Sequence, residues 1–249
     1  MITLAHIVRH PIKSIGYEEI SSASLTQGRA LPFDRVWAIA HAAASFGDKP
    51  TKWASKRNFV RGVAAPDLMA IQAKTDEASG IVTLSHPRAP TICIDLVRDA
   101  ETLLNWVRPM WPETRPAAAS VVRLPHQPFA DMPDPFISLL SLSSLRAVGA
   151  RLGQDLSIHR FRGNLWAEGW PPFEEFDLIG KRLRIGDAEL EIAQRITRCA
   201  ATRVNPKTGF DDADTLDALR TAYGHQDFGV YARVIKSGPI STTDPIEVL

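Results

Sequence analysis

The chain contains little cysteine: Cys93 and Cys199 are the only two among 249 residues. Two thiols are too few for a four-thiolate iron–sulfur cluster or a cysteine-rich zinc site, although their number alone permits one disulfide. Met1 runs directly into the β-prone segment Ile2–Val8, without the pattern of a secretory signal. We therefore expect a reducing, cytoplasmic location and two free thiols.

The chain also lacks an excess of one charge and lacks long apolar runs. Its 29 basic and 28 acidic residues give a formal net charge of +1. A general nucleic-acid binder needs a marked basic excess, and a membrane-spanning helix needs about 20 consecutive apolar residues. We therefore predict no nucleic-acid partner and no membrane association, and basic residues that matter only locally.

Several motifs of common enzyme classes are absent. The sequence has no G-x-G-x-x-G, no G-x-x-x-x-G-K-[ST], no H-E-x-x-H and no G-x-S-x-G. Its seven histidines are scattered, and none is paired at a metal-ligand spacing on a helix. The sequence therefore does not indicate a self-sufficient flavin, nicotinamide or zinc enzyme.

The first half of the chain is rich in short β-prone runs between turn residues. A helix over Glu101–Val107 follows them, and Pro109 ends it. The predicted strands are Ile2–Val8, Ser22–Thr26, Arg35–Ala40, Ile81–Leu84 and Thr91–Leu96.

The segment from Pro109 to Pro135 holds seven of the chain's 18 prolines. Proline cannot continue a helix and fits poorly inside a sheet, so we interpret this segment as a crossing connection. It predicts two closely packed parts, residues 1–115 and 116–249.

The second half carries a helix with capping signals, a clear hairpin and further short strands. In the hairpin, apolar residues alternate with polar ones on both sides of Gly186-Asp187. The irregular strand spacing favours a mainly β, barrel-like fold with a few short flanking helices over a doubly wound sheet. The predicted elements are helices Ser143–Leu152 and Leu216–Tyr223, and β-prone runs Phe136–Ser141, Arg162–Trp166, Arg182–Ile185, Ala188–Ile192, Gly229–Ile235 and Ile246–Leu249.

Cys199 is the candidate reactive residue. A thiolate is a soft ligand, and Arg198 and Arg203 close to it would favour the thiolate over the thiol. Taken alone, the segment fits a buried and inert strand cysteine at least as well. Cys93 has no basic neighbour in its run, and we interpret it as a core residue of the strand Thr91–Leu96.

Basic and hydroxyl side chains in three other places suit an anion. Lys13 and Ser14 follow the first strand and offer a charge and a donor, and Arg35 adds a bidentate contact. Arg162 and Asn164 flank a glycine that lets the backbone approach a ligand closely. In isolation, ordinary turns and solvated basic loops explain each segment better than an anion site does.

Taken together and in this order, the segments resemble the MOSC family, in the form with an N-terminal MOSC β-barrel domain that includes the mitochondrial amidoxime-reducing component and its bacterial relatives. The likeness covers nearly the whole chain. It is carried by the segments His10–Ser14, Asp34–Trp37, Phe161–Asn164, Ile185–Ala188, Arg198-Cys199, Asn205–Gly209, Phe228–Tyr231 and Asp244-Pro245.

The resemblance implies a molybdenum cofactor, in which a pterin dithiolene and one protein cysteine hold the metal. Cys199 matches that metal ligand, and Asp244 matches an acidic catalytic position near the metal. Relatives often carry an Arg-Gln-x-Pro type segment where this chain has Lys52–Arg57, so any of Ser55, Lys56 or Arg57 could replace it. The residues that match or adjoin the cofactor-binding positions are Lys13, Ser14, Arg35, Arg162, Asn164 and Arg198.

The resemblance also implies an activity. We expect an oxidoreductase that reduces N-hydroxylated small molecules by oxygen-atom transfer, with electrons from a separate ferredoxin- or cytochrome-type protein. The alternative is a carrier that delivers sulfur or the cofactor to other enzymes without turnover of its own. A third possibility is a non-catalytic barrel whose basic loops bind another phosphate ligand.

Overall fold

The computed structural model describes residues 1–46, 50–124 and 127–249. Within these ranges the chain is mainly β, with barrel-like sheets and three α-helices, α1 (Ala100–Val107), α2 (Leu142–Leu152) and α3 (Thr215–Tyr223), which confirms the predicted fold class. The strands are β1 (Thr3–Arg9), β2 (Glu18–Ile20), β3 (Ser22–Leu25), β4 (Trp37–His41), β5 (Gln72–Thr75), β6 (Ile81–His86), β7 (Ala89–Asp95), β8 (Ala118–Arg123), β9 (Ile137–Ser141), β10 (Leu165–Glu168), β11 (Arg182–Ile185), β12 (Ala188–Thr197), β13 (Asp227–Lys236), β14 (Gly238–Ser241) and β15 (Ile246–Val248).

An eight-stranded sheet, here called the large sheet, has the order β15-β11-β12-β13-β9-β10-β1-β2. The predicted hairpin forms its β11–β12 ladder, in which Leu183 lies opposite Leu190 and Ile185 opposite Ala188. These four residues are fully buried, because alternate positions of each strand face one core.

A second core lies between α1 and the smaller sheets β5-β6-β7 and β4-β8. Leu103 and Val107 of α1 pack there with Val82 and Leu84 of β6, as their periodicities of 3.6 and 2 require. Cys93 does not belong to this core: β7 turns it outward, and its thiol is exposed. The prediction that Cys93 is a core residue is therefore wrong, since Ile94 takes the inward position.

Strand pairing crosses the predicted division at residues 115 and 116. β1 pairs with β10, β3 with β14 and β4 with β8. The crossing connection after Pro109 is not free of regular structure, since β8 lies within it; Pro116 precedes this strand and Pro125 follows it in the sequence, so no proline interrupts its ladder. The division into 1–115 and 116–249 stays a prediction.

Two of the three helices end on glycine, as the sequence predicts. Gly153 and Gly224 have φ angles of 66° and 74°, the left-handed conformation that glycine adopts without a Cβ clash. Ser141 caps α2 by accepting a hydrogen bond from the Ser144 amide. Across the described residues, none of the helices is long and apolar enough to cross a bilayer.

Candidate functional site

A cavity of about 300 Å³, here called the cationic cavity, lies beside the ends of β1, β10 and β12. Two carboxylates, Asp34 and Asp131, and the thiol-bearing Cys199 line it. Its positive charges clearly outnumber these acids, so the cavity favours an anionic ligand. The basic lining residues are Lys13, Arg35, Lys56, Arg61, Arg160, Arg162 and Arg198.

Lys13 enters the cavity from the turn after β1. Its amide donates to Trp37 O over 2.8 Å, which fixes the turn against β4. Its buried ammonium group donates to Phe129 O at 2.8 Å and to the Asp131 carboxylate at 2.6 Å. Burial lowers the pKa of Lys13 and the nearby Arg35 adds to this effect, while Asp131 opposes it.

The buried carboxylate of Asp34 holds the Arg35 side chain in place. Its guanidinium donates to the Asp34 carboxylate, which also accepts from the His10 amide at 2.8 Å. Burial by itself would raise the pKa of Asp34, but Arg35 and His10 outweigh it and hold that pKa well below its usual range. Arg35 also donates to Arg162 O at 2.9 Å, which ties the loop before β4 to the segment that leads into β10.

Arg162, whose backbone oxygen accepts the hydrogen bond from Arg35, lies shortly before β10. Its guanidinium donates to two backbone oxygens, Gly16 O at 3.2 Å and Ile12 O at 3.4 Å. Burial, reinforced by the charge of Arg35, lowers the pKa of Arg162 to about 9. An anion placed between the two guanidinium groups would relieve this repulsion.

Three lining residues share an unusual backbone. Ser14, Arg35 and Arg162 have φ angles of 63°, 51° and 47°, and they are half of the six non-glycine residues with positive φ in the described ranges. Such conformations cost roughly 1–3 kcal/mol each and cluster at functional sites. For Arg162 this conformation also delays the strand, which begins at Leu165 rather than at the predicted Arg162.

Asn164 lines the cavity with its hydrogen-bonding groups already engaged. Its side-chain oxygen accepts from the Ser138 hydroxyl at 2.9 Å, and its amide nitrogen donates to Val8 O at 3.1 Å. It therefore joins the ends of β1, β9 and β10 beneath the site. A direct contact from Asn164 to a ligand stays a prediction.

Cys199 lies two residues after the end of β12, and its thiol is free and exposed. The alternative of a buried strand cysteine is wrong, because the strand ends before it. The adjacent Arg198 donates to Phe228 O at 2.8 and 2.6 Å and to Phe161 O at 2.7 Å. Burial lowers the pKa of Arg198 to about 10, while the neighbouring Tyr231 and Cys199 act in the opposite direction.

Asp244 does not line the cavity, contrary to the expectation of an acid near the metal. It lies in the turn between β14 and β15, where its carboxylate accepts from the Ser241 amide at 2.7 Å. Its backbone oxygen accepts from the Leu4 amide at 2.9 Å, near the start of β1, whereas the cavity adjoins the end of that strand. The turn needs this carboxylate as a hydrogen-bond acceptor, which explains its position.

Sequence reasoning missed Asp131, Phe136 and Tyr231, all of which line the cavity. Asp131 lies in the proline-rich segment, which the sequence analysis interpreted only as a connection between the two parts. Of the three candidates in the segment 55–57, Lys56 lines the cavity and donates to Asp131 at 3.2 Å. Burial by itself would raise the pKa of Asp131, but Lys13 and Lys56 hold it well below its usual value.

Comparisons with known proteins agree with this architecture. A model of the MOSC N-terminal beta barrel domain matches residues 1–114, and a model of the MOSC domain matches residues 127–247. A molybdenum cofactor sulfurase of Caenorhabditis briggsae is 36% identical over 103 residues, which are 40% of this chain and 14% of that protein. Mitochondrial amidoxime-reducing component 1 of Xenopus laevis is 33% identical over 123 residues, covering 44% of this chain and 35% of that protein.

Both matches span much less than two thirds of the length of these relatives.

The solved structure of the YuaD protein of Bacillus subtilis aligns with 100% of this chain and 96% of the YuaD chain, at 15% identity and a TM-score of 0.47. The two domain models together account for nearly the whole chain, in the order that the sequence predicts. The chain therefore belongs to the MOSC family, in the form in which an N-terminal MOSC beta barrel domain precedes the MOSC domain.

Proposed function

We propose that the chain is a molybdenum-cofactor oxidoreductase that reduces N-hydroxylated small molecules. The observation that supports this most strongly is the free, exposed thiol of Cys199 in the same cavity as seven basic side chains. A soft metal ligand beside a cation-rich surface matches a group that carries both a metal and a phosphate.

The residues present fit such a cofactor. Among the described residues, no cluster of three or more His, Cys, Asp or Glu side chains could hold a metal ion. In the proposed site, the cofactor's own sulfurs would supply the metal ligands other than Cys199. Cys199 would ligate the metal, and when bound the cofactor supplies the two-electron redox chemistry. The residues that would hold its anionic and polar groups are Lys13, Ser14, Arg35, Arg162 and Arg198.

The reaction converts an N–OH group into N–H and water. The N–O bond breaks, and two electrons and two protons enter. Arg198, next to Cys199, is fixed in the cavity wall by its hydrogen bonds to Phe161 O and Phe228 O. Asp131 is ionised at neutral pH, since its pKa is held low, and it therefore orients Lys13 and Lys56 rather than donating a proton.

The electrons would come from a separate ferredoxin- or cytochrome-type protein. The chain has two cysteines in all, and both thiols are free, which leaves no set of ligands for an iron–sulfur cluster. We expect purified protein to reduce no substrate from NADH alone.

The test is the molybdenum content of protein expressed in a host that makes the cofactor. We expect near-stoichiometric molybdenum in the wild type and in Cys93→Ser, and molybdenum lost or catalytically inactive in Cys199→Ser. Cys93 is the matched control because its thiol is also free and exposed but lies on β7, away from the cavity. Well-folded wild type without molybdenum would exclude the proposed function.

The second candidate function is a carrier of sulfur or of the cofactor. The match to a molybdenum cofactor sulfurase and the exposure of Cys199 favour it. Turnover of an N-hydroxylated substrate with a small artificial electron donor separates the two candidates. An oxidoreductase turns over many times per molybdenum, whereas a carrier binds molybdenum or a persulfide on Cys199 and shows no turnover.

A further inference from the structure

One wall of the cationic cavity is aromatic. Phe136, just before β9, and Tyr231 on β13 are half-buried and both line the cavity. Their ring centroids are 5.3 Å apart and the ring planes differ by 19°, so the two rings stack nearly parallel. The register places Tyr231 opposite Ser138 of β9, which holds this stack at a fixed position in the large sheet.

Phe161, the third aromatic residue that lines the cavity, exposes almost none of its ring to a ligand. Phe161 is 1% exposed, and its ring stacks on Phe228 at a centroid distance of 4.1 Å. The Arg198 guanidinium lies 5.7 Å from the same ring. Phe161 is therefore part of the packing beneath the cavity.

Tyr231 differs from both phenylalanines in its contacts. Phe136 carries the Tyr231 ring and, in addition, the Arg233 guanidinium at 5.4 Å. In the described part of the chain, Tyr231 has one ring neighbour, no guanidinium over its ring and no hydrogen-bond partner for its hydroxyl. Burial raises the pKa of Tyr231 despite the opposing charge of Arg198, so the neutral phenol keeps its donor proton.

The ring lines the same cavity as the candidate metal ligand, Cys199. Tyr231 is paired with Gln194 on β12, the strand that leads directly to Arg198 and Cys199. A substrate that reaches Cys199 through this cavity therefore passes a flat π surface with a hydroxyl donor at its edge. Stacked aromatic pairs gain about two- to tenfold in affinity beyond the burial of their area.

We propose that Tyr231, supported by Phe136, determines the specificity of the cavity and selects N-hydroxylated substrates whose N–OH group is conjugated to a flat aromatic ring. This inference rests on the proposed function. The ring of Tyr231 stacks on the aromatic part of the substrate, and its hydroxyl donates to the N-hydroxy oxygen. Aliphatic N-hydroxylated compounds lack the aromatic ring and gain only the hydrogen bond.

The experiment compares benzamidoxime with acetamidoxime on molybdenum-loaded protein and an artificial electron donor. We expect the wild type to favour benzamidoxime by about tenfold in kcat/KM, and Tyr231→Leu to reduce this preference to about twofold. Tyr231→Phe retains the ring, so it should keep the preference and lower kcat/KM for both substrates. The matched control is Phe210→Leu, which removes an exposed aromatic ring outside the cavity.

A second readout is independent of turnover. Benzamidoxime binding, measured by calorimetry without an electron donor, should weaken about five- to tenfold in Tyr231→Leu and remain unchanged in Phe210→Leu. An equal preference for both substrates in the wild type, or a preference that persists in Tyr231→Leu with normal molybdenum content, would overturn the inference and leave the proposed function intact. Wild type that holds molybdenum but reduces neither compound contradicts the proposed function itself.

Discussion

The cations of the cavity fall into two groups that are held in different ways. Lys13, from the turn after β1, is paired with the Asp131 carboxylate, and Arg35, from the loop before β4, is paired with the Asp34 carboxylate. Arg162 and Arg198, from the large sheet, donate to backbone carbonyl oxygens instead. A carbonyl orients a guanidinium without pairing it with a negative charge. We therefore expect the second group to attract an anionic ligand more strongly than the first.

Two buried acids also differ in their partners: one is paired with a cation and the other with a hydroxyl group. Asp34 has a cationic partner, and its pKa is depressed despite burial. Glu175 is also fully buried, but both its oxygens accept from the Ser144 hydroxyl at 2.9 Å, and burial raises its pKa to about 7. A hydroxyl therefore does not compensate for the loss of hydration that a cation offsets.

The largest predicted effect is on the pH dependence of stability, when the buried carboxyl group of Glu175 is removed. Burial raises the pKa of Glu175 in the folded protein to about 7, above its usual value of 4.5. Its contribution to stability is therefore complete below pH 4.5 and is lost as the pH rises through 7. We expect the free energy of unfolding of the wild type to fall by about 3 kcal/mol between pH 4.5 and 8 relative to Glu175→Gln. Urea unfolding across this pH range measures it.

The control for this effect is Asp177→Asn, which removes an exposed carboxylate from the same turn. It should leave the pH dependence of the wild type unchanged. Parallel curves for the wild type and Glu175→Gln would mean that Glu175 is ionised in the folded protein, and the contrast with Asp34 would then be lost.

The next prediction compares the two groups of cations directly. We expect Arg162→Gln to weaken the binding of inorganic pyrophosphate by roughly tenfold to a hundredfold, the value of a charged hydrogen bond. Arg35→Gln should weaken it several-fold less, because Asp34 already neutralises part of that charge. Calorimetry on cofactor-free protein and molybdenum content after expression are the two measurements.

Arg146→Gln serves as the control for both substitutions, since Arg146 forms an exposed ion pair with Glu168 outside the cavity. Its pyrophosphate affinity should equal that of the wild type. If Arg35→Gln proved as costly as Arg162→Gln, the mode of anchoring would not influence ligand attraction.

The smallest predicted effect sharpens the comparison at Asp131. Asp131→Asn removes the charge that competes with a ligand for Lys13 and Lys56, so pyrophosphate should bind about two- to fivefold more tightly. Asp134→Asn is the matched control: its exposed carboxylate pairs with Arg233 and does not line the cavity. Weaker binding in Asp131→Asn would show that the carboxylate serves mainly to orient the two lysines.

Elements with strong local signals could be predicted from the sequence. The β11–β12 hairpin has alternating apolar residues around a Gly-Asp turn, and α3 ends on its expected glycine. Strand β8 could not be predicted, because its ladder with β4 depends on residues about 80 positions away, and the surrounding prolines obscured the signal.

For the candidate site, the sequence indicated which side chains would lie together, but it did not indicate their backbone conformations. Lys13, Arg35, Arg162 and Cys199 converge on one cavity, as the resemblance implied. The left-handed backbone of Arg35 and Arg162 has no signature in residue type, since glycine and asparagine are the usual occupants. For the same reason Asp244 was misplaced: a turn's own need for an acceptor is invisible without the fold.

The Arg35 guanidinium rests on the carbonyl of Arg162, while the Arg162 guanidinium reaches back to Ile12 and Gly16. A single anion between them would bridge segments about 130 residues apart along the chain, and so act as a thermodynamic clamp on the fold. At a hundred times its dissociation constant such a ligand adds about 2.7 kcal/mol to the free energy of unfolding. The heat resistance of this protein in a cell would then rise and fall with the supply of its own ligand.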